Sequence, residues 1–335
     1  MSIALIIIIT LAVGVSFLVF FIIRNVVLPK KAAAAANFLS KNEGLKAMRA
    51  AKAAIEKDPK NAEAHYMLGK AYLADKRDEQ AFREFKSVSR LGITGKEIPE
   101  TEFRETIAGL YAKFNEPEEA LKEYILLTKL HPENPEYFFL AGKLFSSRNR
   151  ADLAEQCLKK AATLNPNEGR YQFELGAFYY LSKRIKEASG VFEAVLKLNP
   201  ADGEALLYMG KALKDSKDYA GAIPYLEKSA RDQDYKLRGL VELGGCYMSL
   251  KMMSKAVTEL ERAVNIIQKE AEPDSLYARY FLAMCYEKNQ EFAKAIGQWD
   301  KIYAQKKNFR DVGEKLTQYS QYRTEVEEKD SSKKQ

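Results

Sequence analysis

Apolar positions along this chain follow two regimes. The first is continuous: Ile3 to Ile23 read IALIIIITLAVGVSFLVFFII, without a charged side chain. A helix rises about 1.5 Å per residue, so a run of this length covers the roughly 30 Å hydrocarbon core of a bilayer. The second regime is periodic. In FELGAFYYLSKRIKEASGVFEAVLKLNP, Phe173 to Pro200, one apolar stripe holds Leu175, Gly176 and Tyr179, and another holds Ala188, Phe192 and Val195. Steps of three and four residues place each stripe on one face of a helix. Ser182-Lys183-Arg184 separates the two, and Asn199-Pro200 ends the second, because proline removes a backbone donor and cannot continue the turn. The unit is predicted to be a pair of antiparallel helices.

The unit recurs. Counterparts of Leu175-Gly176 are Leu68-Gly69, Ile107-Ala108, Ala141-Gly142, Met209-Gly210, Leu243-Gly244 and Leu282-Ala283, with the small residues 39, 34, 34, 34, 34 and 39 apart. Each is followed twelve residues later by an alanine (Ala81, Ala120, Ala154, Ala188, Ala222, Ala256, Ala295). Four residues further stands a large apolar side chain: Phe85, Tyr124, Leu158, Phe192, Leu226, Leu260 and Trp299. A weaker copy precedes these, with Ala35, Phe38, Ala47, Ala51, Ala54 and Pro59 at the same offsets. The small residues are predicted to sit where the two helices of a pair cross closely. Two insertions of five residues, at Gly92–Pro99 and Gln268–Asp274, break the period and are expected to form loops. Phe309, Val312, Leu316 and Tyr319 share one helical face after the last copy, as a capping helix requires. The expected layout is an anchor over 1–24, a linker and degenerate first repeat over 25–61, seven repeats over 62–307, a cap over 308–326 and a polar tail over 327–335.

Flanking charge bears on the anchor. Only Met1 and Ser2 precede the apolar run, which lacks the basic n-region and short core of a cleaved signal peptide. Arg24, Lys30 and Lys31 all follow it. The positive-inside rule therefore predicts a single-pass membrane protein with its body in the cytoplasm. A net charge of +7 over 335 residues is modest, and no basic cluster is interleaved with stacking aromatics, so no nucleic-acid partner is expected.

Candidate chemistry is sparse. The two histidines, His65 and His131, are far apart, and the three cysteines, Cys157, Cys246 and Cys285, form no C-x-x-C pair. No catalytic site, metal site or cofactor is predicted. GITGKE at 92–97 fails as a phosphate loop because its glycines are too close together and Glu97 replaces the Ser or Thr. Cys246 and Cys285 occupy one position in neighbouring copies. Packed helices lie about 8–10 Å apart, beyond the roughly 7 Å that a disulfide spans between Cα atoms, so free thiols are expected.

The pattern of large-small residue, aromatic, alanine, large apolar residue and proline resembles the tetratricopeptide repeat, over roughly residues 28 to 307. The position of the family's usual early tryptophan holds His65, Arg104, Phe138, Gln172, Leu206, Leu240 and Arg279 instead. The resemblance implies an all-α superhelical solenoid and a non-enzymatic scaffold whose first helices line a concave groove. Carrying the groove positions over gives Tyr66, Lys70, Phe139, Lys143, Phe173, Tyr180, Leu207, Lys211, Val241, Met248, Tyr280 and Met284. Phe173, Tyr180 and Leu207 are expected to form an apolar patch flanked by Lys143 and Lys211, with Phe173 and Tyr180 off the packing positions. The implied partner is a protein presenting an amphipathic or extended segment; self-assembly is an open alternative. The family's carboxylate clamp is not expected, since Gly109, Ala112 and Ala177 stand at its places. Anchor plus array also resembles bacterial envelope proteins that regulate lipopolysaccharide assembly, but their four-cysteine metal domain is missing. With the ending KNFRDVGEKL, the layout is similar to anchored spirochaete proteins, some of which build the periplasmic flagellar motor collar. That resemblance implies a periplasmic array, and an assembly factor for an envelope complex is a third alternative.

Overall fold

The computed structural model describes residues 12–19, 28–93, 98–319 and 322, and among these every regular element is a helix. Residues 12–19 form α1, exposed throughout. The rest of the anchor expected at Ile3–Ile23 lies outside the described residues, and among the described residues no helix is long and apolar enough to cross a membrane. The chain divides into two compact units, one ending at Cys157 and the other beginning at Leu158.

The first unit contains α2 (Leu28–Ser40), α3 (Gly44–Lys57), α4 (Ala62–Ala74), α5 (Asp78–Leu91), α6 (Glu100–Lys113), α7 (Pro117–Leu130) and α8 (Pro135–Ser147). The division falls inside α9 (Ala151–Leu164). The second unit continues with α10 (Gly169–Leu181), α11 (Ile185–Leu198), α12 (Gly203–Asp215), α13 (Tyr219–Ser229), α14 (Lys236–Ser249), α15 (Met253–Asn265), α16 (Pro273–Lys288), α17 (Phe292–Gln305) and α18 (Val312–Gln318). In the first unit α2 packs on α3, α4 on α5 and α6 on α7; in the second α10 packs on α11, α12 on α13, α14 on α15 and α16 on α17. The degenerate copy thus forms a hairpin like the others, with Ala35, Ala47, Ala51 and Ala54 fully buried.

Each hairpin turns the same way. Asn42, Lys76, Asn115, Asn149, Lys183, Lys217, Lys251 and Gln290 all have φ between 56° and 66°. The next residue donates its backbone N–H five residues back: Arg77 to Tyr72 at 2.9 Å, Arg184 to Tyr179 at 2.9 Å, Glu291 to Tyr286 at 2.8 Å. This is the Schellman arrangement, which satisfies carbonyls that the helix end would otherwise leave open. None of the eight is glycine. Asparagine tolerates this region best among the others, and lysine and glutamine occupy it because the turn demands it.

The small positions act as expected. A Cβ on Gly176 would lie 2.6 Å from Phe192, and one on Gly210 or Gly244 would lie 2.5 Å from Leu226 or Leu260. Each large side chain is fully buried. Where the family tryptophan is replaced by a polar residue, Gln172 donates back to the Ala162 carbonyl at 3.1 Å, and the other three find a partner nineteen residues on, across the same hairpin. His65 Nδ1 donates to Glu84 at 2.6 Å, Arg104 Nη1 to Glu123 at 2.7 Å, and Arg279 Nη1 to the Gln298 carbonyl oxygen at 2.7 Å. A buried polar group without a partner would cost a few kcal/mol, so these substitutions survive as pairs. Pro224 lies within α13, the shortest helix among these hairpins at 11 residues. Cys246 and Cys285 are buried, unbridged thiols, and burial pushes each up to about 11.

The cap is shorter than expected, α18 spanning 7 residues, yet it covers the last hairpin. Phe309, Val312 and Leu316 are buried, and Tyr319 stacks on Trp299 and Phe292 at centroid distances of 5.6 and 5.1 Å.

Gly176→Val is expected to destabilise the chain by about 1–3 kcal/mol through overpacking, whereas Gly245→Ala, whose Cβ meets nothing within 4 Å, gains up to about 1 kcal/mol from helix propensity. Urea unfolding of the two variants checks both signs. A second expectation concerns pH. The hydrogen bond to Glu84 raises His65 above its ordinary value despite opposing desolvation, and Nε2 also donates to the Pro59 carbonyl at 3.1 Å. A raised folded-state value means that this stabilisation is complete below the ordinary histidine range and fades as pH rises through the raised value. His65→Gln should therefore lower Tm more at pH 5.5 than at pH 8.5; equal losses at both would refute the charged pair.

Candidate functional site

Within the second unit the first helices of successive hairpins touch in the order α10, α12, α14, α16 and so line one face. Their register decides which side chains look outward. Measured from the small residue of the repeat, the positions three before it in α12, α14 and α16 are Leu207, Val241 and Tyr280, all buried at 7% exposure or less, whereas their counterpart in α10, Phe173, is partly exposed. The positions two before are Tyr208, Glu242 and Phe281, and all are partly exposed. One residue is a rotation of about 100° on a helix of 3.6 residues per turn. That rotation separates the seam between neighbouring helices from the open face.

An open cleft of about 430 Å³ lies on this face. Leu207, Tyr208, Lys211 and Lys214 of α12 form one wall, Arg238, Val241 and Glu242 of α14 the middle, and Asp274, Tyr277 and Phe281 of α16 the other wall. Tyr208 meets Phe173 and Tyr180 edge-on, at centroid distances of 5.4 and 5.6 Å, and burial raises its hydroxyl above the ordinary range. The Tyr180 hydroxyl donates to Asp215 at 2.8 Å. Across the cleft Tyr277 packs on Phe281 and Phe309, with Arg310 over its ring at 5.0 Å.

The charges are unequally matched. Lys214 pairs with Glu242, and Arg238 Nε pairs with Asp274 at 2.6 Å. Lys211 has no carboxylate partner among the described residues; its ammonium rests over the Tyr208 and Tyr180 rings at 5.2 and 5.6 Å. Cation–π contacts of this kind hold the charge in place without neutralising it.

A second cleft, of about 530 Å³, shares Asp274 with the first. Gln268, Lys269 and Glu272 of the second insertion line it, opposite Gln233, Asp234 and Lys236. The insertion is pinned: Glu270 accepts two bonds from Arg279, at 2.7 and 2.5 Å, and the arginine is 4% exposed. That bidentate bond holds the Glu270 carboxyl below its usual range. Of the first insertion, residues 94–97 lie outside the described residues; Gly92 has φ 88°, where glycine is favoured, and Ile98 is buried.

The residues expected to face the groove divide accordingly. Lys211, Tyr180, Met248 and Met284 are partly exposed in the second unit, as is Lys70 in the first, where Lys143 is exposed. Lys70 is paired to Glu102 at 2.7 Å, and Lys143 lies over the Phe139 ring. Tyr66, Phe139, Leu207, Val241 and Tyr280 are buried, which corrects their placement as open groove residues. The reason is the neighbouring hairpin: Phe103 of α6 covers Tyr66, while Phe309 packs on Tyr280, whose hydroxyl donates to Asp311 at 2.8 Å. Leu207 and Val241 still form the cleft floor. Phe173 is also a packing residue, in contact with Phe192 as well as Tyr208. Lys143, expected to flank the same patch as Lys211, belongs to the first unit. Tyr208, Lys214, Arg238, Glu242, Asp274, Tyr277 and Phe281 were not anticipated, although the helical period carries them once the row is shifted by one residue.

Comparison with known proteins agrees with this architecture. Profiles described as tetratricopeptide repeat match residues 50–83, 135–168, 177–236 and 255–310, and the chain belongs to that family. It is 30% identical over 152 residues to a BBSome complex member, the BBS4 homolog of Drosophila melanogaster, covering 42% of this chain and 31% of that protein. It is 23% identical over 199 residues to the TPR repeat-containing protein YpiA of Bacillus subtilis, covering 59% and 46% respectively. The chain thus spans less than half the length of either relative. Among solved structures, the Cut9–Hcn1 hetero-tetramer of the APC/C shares the fold at a TM-score of 0.54 and 15% identity, over 82% of this chain and 52% of that one.

Arg279→Met should release the insertion and free the backbone at Lys269, whose side chain is already exposed, to enter the trypsin site. Limited digestion followed by mass spectrometry is expected to show faster cleavage after Lys269 than in the unsubstituted chain. An unchanged rate would mean that the ion pair does not hold the loop.

Proposed function

We propose that this chain is a non-catalytic scaffold, tethered to a membrane through Ile3–Ile23, that captures a protein partner on the first-helix face of its second unit. The carrying observation is the cleft between α12, α14 and α16, where Tyr208, Tyr277 and Phe281 present partly exposed rings beside an unmatched ammonium. Aromatic side chains in a recess bury large apolar area at small conformational cost, which is why they dominate interface energetics. The lining offers stacking surface, ion pairs and one free charge, all of which bind. One relative is by name a BBSome complex member, which fits an adaptor role. The tether rests on the twenty-one uncharged positions of Ile3–Ile23, and Arg24, Lys30 and Lys31 behind them favour a cytoplasmic array.

Partner capture from detergent-solubilised membranes tests the surface. Tyr277→Ser with Phe281→Ser is expected to weaken capture about tenfold or more, since loss of one such anchor exceeds 1.4 kcal/mol. Circular dichroism and the fluorescence of Trp299, the single tryptophan, report whether the fold survives. Undiminished capture by a folded variant would move the working surface elsewhere. Protease treatment of right-side-out spheroplasts tests the orientation: the array should be protected until lysis, and digestion of intact spheroplasts would place it outside.

A further inference from the structure

The groups around the first cleft differ in one respect that bears on the chemistry of its occupant. Lys214 and Arg238 already hold carboxylates, whereas Lys211 holds none among the described residues. Its ammonium is positioned by two tyrosine rings, and those rings are themselves braced, Tyr180 by Asp215 and Tyr208 by Phe173 and Phe192. A cation held in place in this way loses little freedom when it meets an anion. In the same cleft the floor of Leu207 and Val241 is apolar.

We infer that the cleft receives an internal segment of a protein partner in which an acidic side chain meets Lys211 and a neighbouring large apolar side chain lies on Leu207 and Val241 against Phe281. This rests on the binding-scaffold reading above and adds the chemistry of the ligand. The acid belongs within a segment, because the aromatic row continues on both sides of Lys211: Phe173 and Tyr180 on one, Tyr277 and Phe281 on the other. A nucleic-acid strand fits poorly, because Asp215, Glu242 and Asp274 stand along the same face and would oppose a continuous line of phosphates. Only a segment that places one negative charge beside apolar surface satisfies both the free ammonium and the floor.

The test uses the detergent-solubilised full-length chain and fluorescent octapeptide libraries with amidated C-termini. One library fixes Glu at an internal position with Phe two residues later; a second fixes Gln in place of Glu; a third fixes Lys. Anisotropy titrations should show the Glu library binding about tenfold tighter than the Gln library, a difference of 1.4 kcal/mol, with the gap narrowing as salt rises. Lys211→Gln should abolish the preference for Glu over Gln, and Lys211→Glu should shift it to the Lys library, while Lys143→Gln in the first unit changes nothing. Equal binding of the Glu and Gln libraries, or a preference that persists in Lys211→Gln, would overturn the inference. If that happens while Tyr277→Ser/Phe281→Ser still loses partner capture, the scaffold reading stands and only the acidic recognition falls.

Discussion

Everything in this structure depends on a small residue of each first helix lying against a large side chain of the second. Gly176 on Phe192, Gly210 on Leu226 and Gly244 on Leu260 leave no room for a methyl group. The contact sets the separation and crossing of the two helices, and the left-handed turn residue seven positions later closes the hairpin. Because the same contact is repeated, each hairpin presents its first helix to the next hairpin in the same orientation. An exposed face follows from local packing: in α12, α14 and α16 one row of side chains is consumed as seam and the adjacent row is left partly facing solvent.

The polar substitutions show how tolerant this scheme is. His65, Arg104 and Arg279 occupy a position that the family usually fills with tryptophan, and each is answered nineteen residues later by Glu84, Glu123 or Gln298. Desolvating an unpaired cation would be costly, and the pairing within one hairpin avoids that cost without altering the seam. Arg279 goes further by reaching Glu270, so that a helix residue inside the array positions a loop outside it.

Charge on the first-helix face is mostly spent. Lys214, Arg238 and Lys70 are bound to Glu242, Asp274 and Glu102, each on the first helix of the next repeat. These pairs tie successive hairpins together and match each of those three cations with a carboxylate. Lys211 stands apart because its ammonium rests over aromatic rings and forms no ion pair with a carboxylate among the described residues. Specific recognition by such a face comes from the few groups that packing has not already satisfied.

Repeat length, helix pairing, the small-to-large contacts and the free thiols were all legible in the sequence, because each depends on residues close in the chain or on a fixed period. The turn residues were less so, since Lys183 and Gln290 do not advertise a left-handed conformation; only the shared spacing reveals it. The expected groove residues were legible only in part as exposed surface. Lys211, Tyr180, Met248 and Met284 are partly exposed, but Tyr66, Phe139, Leu207, Val241 and Tyr280 were taken for open surface and are buried. Periodicity identifies which residues share a helical face, yet it carries no information about where a neighbouring hairpin sits. The lateral packing of α12, α14 and α16 made that choice, turning one row of side chains inward and bringing Tyr208, Arg238, Asp274 and Phe281, spread over seventy positions of chain, around a single cleft.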